Sequence, residues 1–234
     1  MGLRAVGLIL AGLDVDVANG EAWNRWYDLE HLAPNLALPG IVAGQRYVAP
    51  PSLHVNRRCE ADDPAWGGGR GVYLTWYATS ADPVEAIAVM SARRDELEAE
   101  GRMDGAGART VRTGDALELV NGAADDRLRL ESEDLLHVGH AGLRLLRGYG
   151  ESEVRVVPGV IAAVSCRSRF EPDTWLELQL LDREASASLE EVRESDPRPG
   201  AMLDAGFDPI RPLHYPFLEM IEASNLPRTI QAEG

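Results

Sequence analysis

Lysine is absent from this chain of 234 residues; all 23 basic residues are arginine. Without lysine no side-chain Schiff base can form, which excludes pyridoxal enzymes and lysine aldolases. A GxxxxGK[ST] phosphate loop is excluded for the same reason. Cysteine is scarce. Cys59 and Cys166 lie far apart and match no zinc or redox spacing, so a reduced, cytoplasmic protein with no cysteine-built metal or redox centre is expected. HExxH, CxxC and GxSxG motifs are missing as well. Positive charge is also short: 38 acidic residues against 23 arginines leave a net charge of −15. That balance argues against nucleic acid as a partner, because such binding rests on neutralising phosphates. No apolar run approaches the roughly 20 residues of a membrane helix, so no membrane association is expected. Residues 2–14 are apolar, but Asp14 and Asp16 end the run, and it lacks the flanks of a signal peptide. It reads as a strand.

What is present is a repeat. LPGIVAGQRY at 38–47 and VPGVIAAVSC at 157–166 share a Pro-Gly turn followed by an apolar strand. The pattern predicts two related halves, 1–122 and 123–234, joined by NGAADD at 121–126. In the first half, strands are expected at 4–13, 41–49, 71–79 and 109–120. Helices are expected at 20–37, capped by Asn19, and from Asp82-Pro83 to about residue 100, capped by Ser80 or Asp82. The second half repeats the order with weaker marks. Its strands are expected near 127–132, within the Pro-Gly segment 157–166, and at 176–181 and 210–221, and its helices near 135–152 and 183–194.

Strand–helix–strand twice over is the split βαβ, or ferredoxin-like, unit. Residues 41–48 and 72–78 place apolar or aromatic groups on both strand faces, so both faces need cover. The expected fold class is therefore α+β: two tandem ferredoxin-like halves packed sheet to sheet in a barrel, with helices outside.

At this level WYDLEHLAPNLALPGIVAGQRYVA (26–49) resembles the helix and second strand of EthD-like members of the dimeric α+β barrel superfamily. The resemblance implies a fused pseudo-dimer. It also implies chemistry of the kind found there, namely cofactor-free cyclases, isomerases and monooxygenases acting on small apolar carbonyl compounds. The implied partner is a small hydrophobic, polyketide-like or aromatic molecule, and the implied assembly a homodimer of fused chains. A binding protein for such a ligand, without turnover, is the rival reading.

On the first helix, Leu29, Leu32, Ala33 and Leu36 form the stripe expected to face the core, with Trp26 at its edge. Trp23, Tyr27 and His31 lie four apart in a second row. His31 is the expected base, because histidine is the side chain most easily poised to move a proton near neutral pH. Its structural alternative is a hydrogen bond to a carbonyl at the helix end, before Pro34. Tyr27 or Tyr47 is the expected hydrogen-bond partner, and Arg46 or Asn24 the expected holder of an enolate oxygen. Tyr73, Trp76 and Tyr77, read as facing the barrel interior, and Trp23, Trp26 and His214 complete the expected substrate-binding set. His137 and His140 have a weakly metal-like spacing and no third ligand in view. Residues 50–70 form a long connection expected to be either a lid or a loose insertion, with Gly67–Gly69 as its hinge and Trp66 and His54 at its tip. Aligning the two turns sets Arg46 and Tyr47 over Ser165 and Cys166, and Trp26, Tyr27 and His31 over Leu145, Leu146 and Gly150. The second half thus lacks an equivalent acid or base.

Overall fold

The computed structural model describes residues 4–103, 107 and 109–224. Its strands are β1 (Gly7–Val15), β2 (Ile41–Val48), β3 (Arg58–Cys59), β4 (Tyr73–Thr79), β5 (Arg109–Ala124), β6 (Gly142–Tyr149), β7 (Val160–Ser168), β8 (Thr174–Leu181) and β9 (Leu203–Pro209). They run in the order β2-β4-β1-β5-β7-β8-β6-β9-β3, and β9 also pairs with β2. Eight antiparallel strands therefore close into a barrel, with β3 attached beside β9. The order within β2-β4-β1-β5 recurs within β7-β8-β6-β9: second, third, first, fourth. Gly40 (φ 85°) and Gly159 (φ 90°) make the two Pro-Gly turns, and each precedes the second strand of its set.

The two seams differ. β5 meets β7 from Leu117↔Ser168 to Ala124↔Ala162. β2 meets β9 only at Tyr47↔Pro209 and Val48↔Asp208. The Ile210 amide donates to the Arg46 carbonyl at 2.9 Å and the Gln45 carboxamide to the Ile210 carbonyl at 3.3 Å, which extends this short seam.

Alternation along the strands builds two apolar layers. Leu8, Leu10, Tyr47, Leu74, Trp76, Leu145, Val164, Cys166, Leu178 and Phe207 belong to the interior core. Outside the first strand set, Ile9, Leu13, Val48, Tyr73 and Tyr77 pack under α1 (Gly20–Trp26) and a π-helical turn at Tyr27–Leu32, which continues into α2 (Ala33–Leu36). Pro34 thus sits at the start of α2 and does not end the helix. A 3₁₀ turn at Val17–Asn19 leads in, capped by Asp16; Asn19 makes no side-chain cap. α4 (Pro83–Ala99) is capped by Asp82, whose carboxylate accepts from the Val84 and Glu85 amides.

Several expectations for the second half are corrected. Its first strand is β6, not 127–132, and 135–152 holds a 3₁₀ turn (Ser132–His137) and β6 where a helix was expected. No helix forms at 150–159 either. Leu143 and Leu145 alternate with Arg144, and that buried charge disguised the strand. The last strand is β9, not 210–221; residues 210–216 form a strap that leads into α6 (Phe217–Ala223). Asn121–Ala124 belong to β5, so the linker begins only at Asp125. α5 (Ala185–Ser195) lies where expected.

The 50–72 connection is an ordered plug. It holds α3 (Pro51–Val55) and β3, and then buries Trp66 against Gly12 and edge-on to Phe207 at 6.0 Å. Arg57 clamps it by donating to the carbonyls of Trp66, Arg70 and Gly71. No helix among the described residues is long and apolar enough to cross a membrane.

Candidate functional site

The expected site residues separate into two sets on opposite faces of one sheet. Tyr47 and Trp76 point into the barrel. Trp23, Asn24, Trp26, Tyr27, His31, Arg46, Tyr73 and Tyr77 lie together on the outer face, beneath α1 and the π turn. The interior direction expected for Tyr73 and Tyr77 is therefore corrected, and Arg46 lies outside with them. β2 and β4 alternate, and these residues occupy the phase opposite to Tyr47 and Trp76.

The helix buries a different edge from the expected stripe. Leu29, Ala33 and Leu36 are exposed, whereas Trp23, Asn24, Trp26, Tyr27 and Asp28 are buried. The π turn at Tyr27–Leu32 is the reason for the part beyond Trp26. It takes more than 3.6 residues per turn and shifts the phase of everything after Trp26. As a result His31 faces Trp26, five residues back, with ring centroids 5.4 Å apart and planes at 27°. It also meets Tyr27 edge-on at 4.6 Å.

Beyond each ring lies a guanidinium. Arg46 sits 4.3 Å from the Tyr27 ring centre and Arg109 sits 5.4 Å from that of Trp26. The order through space is Arg46, Tyr27, His31, Trp26, Arg109. Burial pushes the His31 imidazole down to about 4, and the Arg109 and Arg46 charges push the same way. It is neutral at pH 7. Its ring nitrogens make no hydrogen bond among the described residues, so the expected bond to a helix-end carbonyl is not formed.

Arg46 is otherwise committed. It is buried, donates to Asp28 and the Asn24 carbonyl through Nη1, and to Asn24 Oδ1 at 2.5 Å through Nη2. The Asn24 amide donates to the Gly20 carbonyl at 2.8 Å and the Tyr73 hydroxyl at 3.2 Å. Asp28 accepts further bonds from the Tyr215 hydroxyl at 2.6 Å and the Leu213 amide at 2.9 Å. Leu213, at φ 60°, is held in the left-handed region by this anchorage. Arg46 and Asn24 therefore fasten helix, sheet and strap, and their polar atoms face one another. His214 is exposed on the strap and does not reach the interior. Burial raises Tyr73 to about 12 and Tyr77 well above the ordinary phenol value, so both stay protonated.

Inside the barrel, Trp76 Nε1 donates to the Tyr47 oxygen at 2.9 Å. The Tyr47 oxygen lies 2.7 Å from His140 Nε2, and His140 Nδ1 lies 2.8 Å from the Val138 carbonyl. A neutral imidazole protonated at Nδ1 satisfies every member of this chain. His140, read from its spacing as half of a weak metal pair, belongs here, and His137 is exposed. No group of three His, Cys, Asp or Glu is placed to hold a metal among the described residues. Sequence reasoning missed Arg109, left Tyr215 out of the expected set and gave His140 a different role. The spacing of His140 to His137 says nothing of Tyr47, and Arg109 and Tyr215 carry no local signal, since each meets its partners only through the folding of distant segments.

The outer face of the second strand set is closed by polar groups. Arg144, Glu177, Gln179, Asp196 and Asp204 are buried there, and Arg144 pairs with Asp204 at 2.7 Å. Arg193 and Arg198 join the same network, at Asp204 (3.1 Å) and Glu177 (3.1 Å) respectively.

No protein-family model matches the chain, and no curated protein matches it. Among solved structures, a candidate chlorite dismutase shares 10% identity over 88% of this chain and 95% of that one, with a TM-score of 0.51. A candidate monooxygenase from Lactobacillus acidophilus shares 11% identity over 89% and 94%, with a TM-score of 0.42. A candidate monooxygenase from Fusobacterium nucleatum shares 6% over 88% and 94%, with a TM-score of 0.43. The first likeness shows a common barrel fold and nothing about the reaction.

Proposed function

We propose that the chain is a cofactor-independent acid–base enzyme of cyclase or isomerase type, acting on a small apolar carbonyl compound at the His31 face. In this reading it is a tandem pseudo-dimer of ferredoxin-like halves, 1–122 and 123–234, of EthD-like ancestry, and only the first half works. The repeated strand order and the paired Gly40 and Gly159 turns support the tandem origin. Over the second set the outer face is filled by a buried ion network of arginines and carboxylates, in which the described residues include no histidine.

The observation that carries the reading is the unclaimed imidazole of His31. Around it Arg46, Asp28 and Asn24 all hold partners, whereas His31 is oriented by two rings and hydrogen-bonded by none of the described residues. A substrate carbonyl compound lies against the aromatic edge of Trp26. A His31 nitrogen takes the proton from the carbon next to the carbonyl, and the C–H electron pair moves to the carbonyl oxygen as an enolate. Reprotonation at another carbon gives isomerisation; attack of the enolate carbon on a second carbonyl of the same molecule gives cyclisation. Tyr27 enters as the surface on which His31 rests, and Arg46 as the support beneath Tyr27.

Native mass spectrometry with a panel of aromatic and polyketide-like carbonyl compounds tests this on wild type and His31→Ala. Conversion by wild type that falls by about 10²-fold or more in the variant supports the base. Ligand bound by both and never altered leaves a carrier. Conversion that consumes dioxygen assigns the same face to a cofactor-free monooxygenase.

A further inference from the structure

We infer that Arg109 is the anion-recognising residue of the His31 face, so that the ligand taken there is a planar carboxylate or enolate on an aromatic or apolar body. The inference deepens the acid–base reading and rests on it for the role of His31. Arg109 opens β5, half-buried, with its guanidinium over the Trp26 ring. The surrounding arginines are neutralised: Arg46 by Asp28, Arg102 by Glu30 at 2.7 Å, and Arg112 by Asp14 at 2.7 Å. The Arg109 guanidinium makes no hydrogen bond or ion pair with the described residues, although its backbone pairs with Val15 in the sheet. No carboxylate among the described residues neutralises this half-buried guanidinium, although the chain carries a net charge of −15, so an anion from outside can pair with it.

Its chemistry suits a planar anion. The guanidinium fork matches two carboxylate oxygens, or an enolate and its neighbouring carbonyl, while the Trp26 indole, buried between Arg109 and His31, holds the fork in place. The charges that bear on His31 are Arg109 from β5 and Arg46 from β2, while the Glu30–Arg102 pair beside Trp26 is neutralised within itself. Of these, Arg109 is the one cation an incoming anion can neutralise, since Arg46 is buried against Asp28. Binding therefore removes a charge that depresses the basicity of His31. The ligand that fits is the one that switches on the base.

Calorimetric titration with benzoate and with neutral benzyl alcohol tests this on wild type, Arg109→Gln and Arg109→Lys, with histidine-selective NMR of His31 alongside. The expected result is at least a tenfold preference for benzoate in wild type, lost in Arg109→Gln and partly kept in Arg109→Lys. The His31 midpoint should rise on saturation with benzoate and also in unliganded Arg109→Gln. Equal binding of the two compounds, binding of neither, or a benzoate preference that survives Arg109→Gln would overturn the inference. Turnover is not read in this experiment. An Arg109-dependent preference in a protein whose conversions survive His31→Ala would keep the anion subsite and remove the acid–base function.

Discussion

His31 stacks on Trp26 across five residues of helix, a separation that a regular α-helix places on different faces. The π turn makes the pair, and the pair brings two arginines to bear on one imidazole. The consequences can be measured.

The pH profile comes first. A base whose free-enzyme value is about 4 keeps working where an ordinary histidine is already protonated. The acid limb of kcat/KM should fall near pH 4, with activity at pH 5.5 close to that at pH 7. An acid limb near 6.5 would detach His31 from the chemistry.

Arg46 and Asp28 should behave as one unit. Arg46→Met leaves the buried Asp28 carboxylate without its cation and should cost about 3–5 kcal/mol. Asp28→Asn in the same chain should recover part of the loss, with a coupling of at least about 0.5 kcal/mol in urea denaturation. Simple additivity would mean that the pair does not hold helix to sheet.

Acid lability should follow His54. Burial first, and then the Arg57 charge, push this histidine down to about 3, and both ring nitrogens are buried without a partner. The folded state thus binds its proton later than the unfolded chain does. Stability is complete above the unfolded value near 6.5 and declines as the pH falls toward 3. Between pH 7 and 4.5 the loss from this residue is roughly 2 kcal/mol. The raised carboxyls of Glu177, Asp115 and Asp208 act with the opposite sign, so the comparison is with His54→Leu, whose urea midpoint should fall less over the same interval. An equal fall in both would contradict the burial of His54.

The plug should depend on Trp66. A Cβ at Gly12 would lie 2.8 Å from the indole, so Gly12→Val should expel it, and Trp66→Ala should cost about 3–5 kcal/mol. Limited proteolysis should then cut within 56–72 in both variants and spare the wild type.

Much of the barrel is legible in the chain. The Pro-Gly turns mark β2 and β7, and their alignment sets inward Tyr47 over inward Cys166, and Arg46 over Ser165 on the other face. The helix edge carrying Trp23, Tyr27 and His31 is visible from spacing, but the π turn that recruits Trp26 is not, since a 100° projection assumes an unbroken helix. The second set is obscured by its own buried charges. Arg144, Glu177 and Gln179 carry no local mark of burial, and only the tertiary pairing with Asp196, Asp204 and Arg198 makes them core. Arg109 was unreadable because nothing local ties the start of β5 to Trp26.

The most direct test of the central claim needs no knowledge of the product. A panel of small apolar ketones and β-dicarbonyl compounds is incubated in D2O with wild type and with His31→Ala, and deuterium uptake at the carbon beside the carbonyl is read by mass spectrometry. Exchange accelerated by wild type and slowed about 10²-fold or more in the variant is the predicted result. Compounds that bind without exchanging, or exchange that persists in His31→Ala, would contradict it.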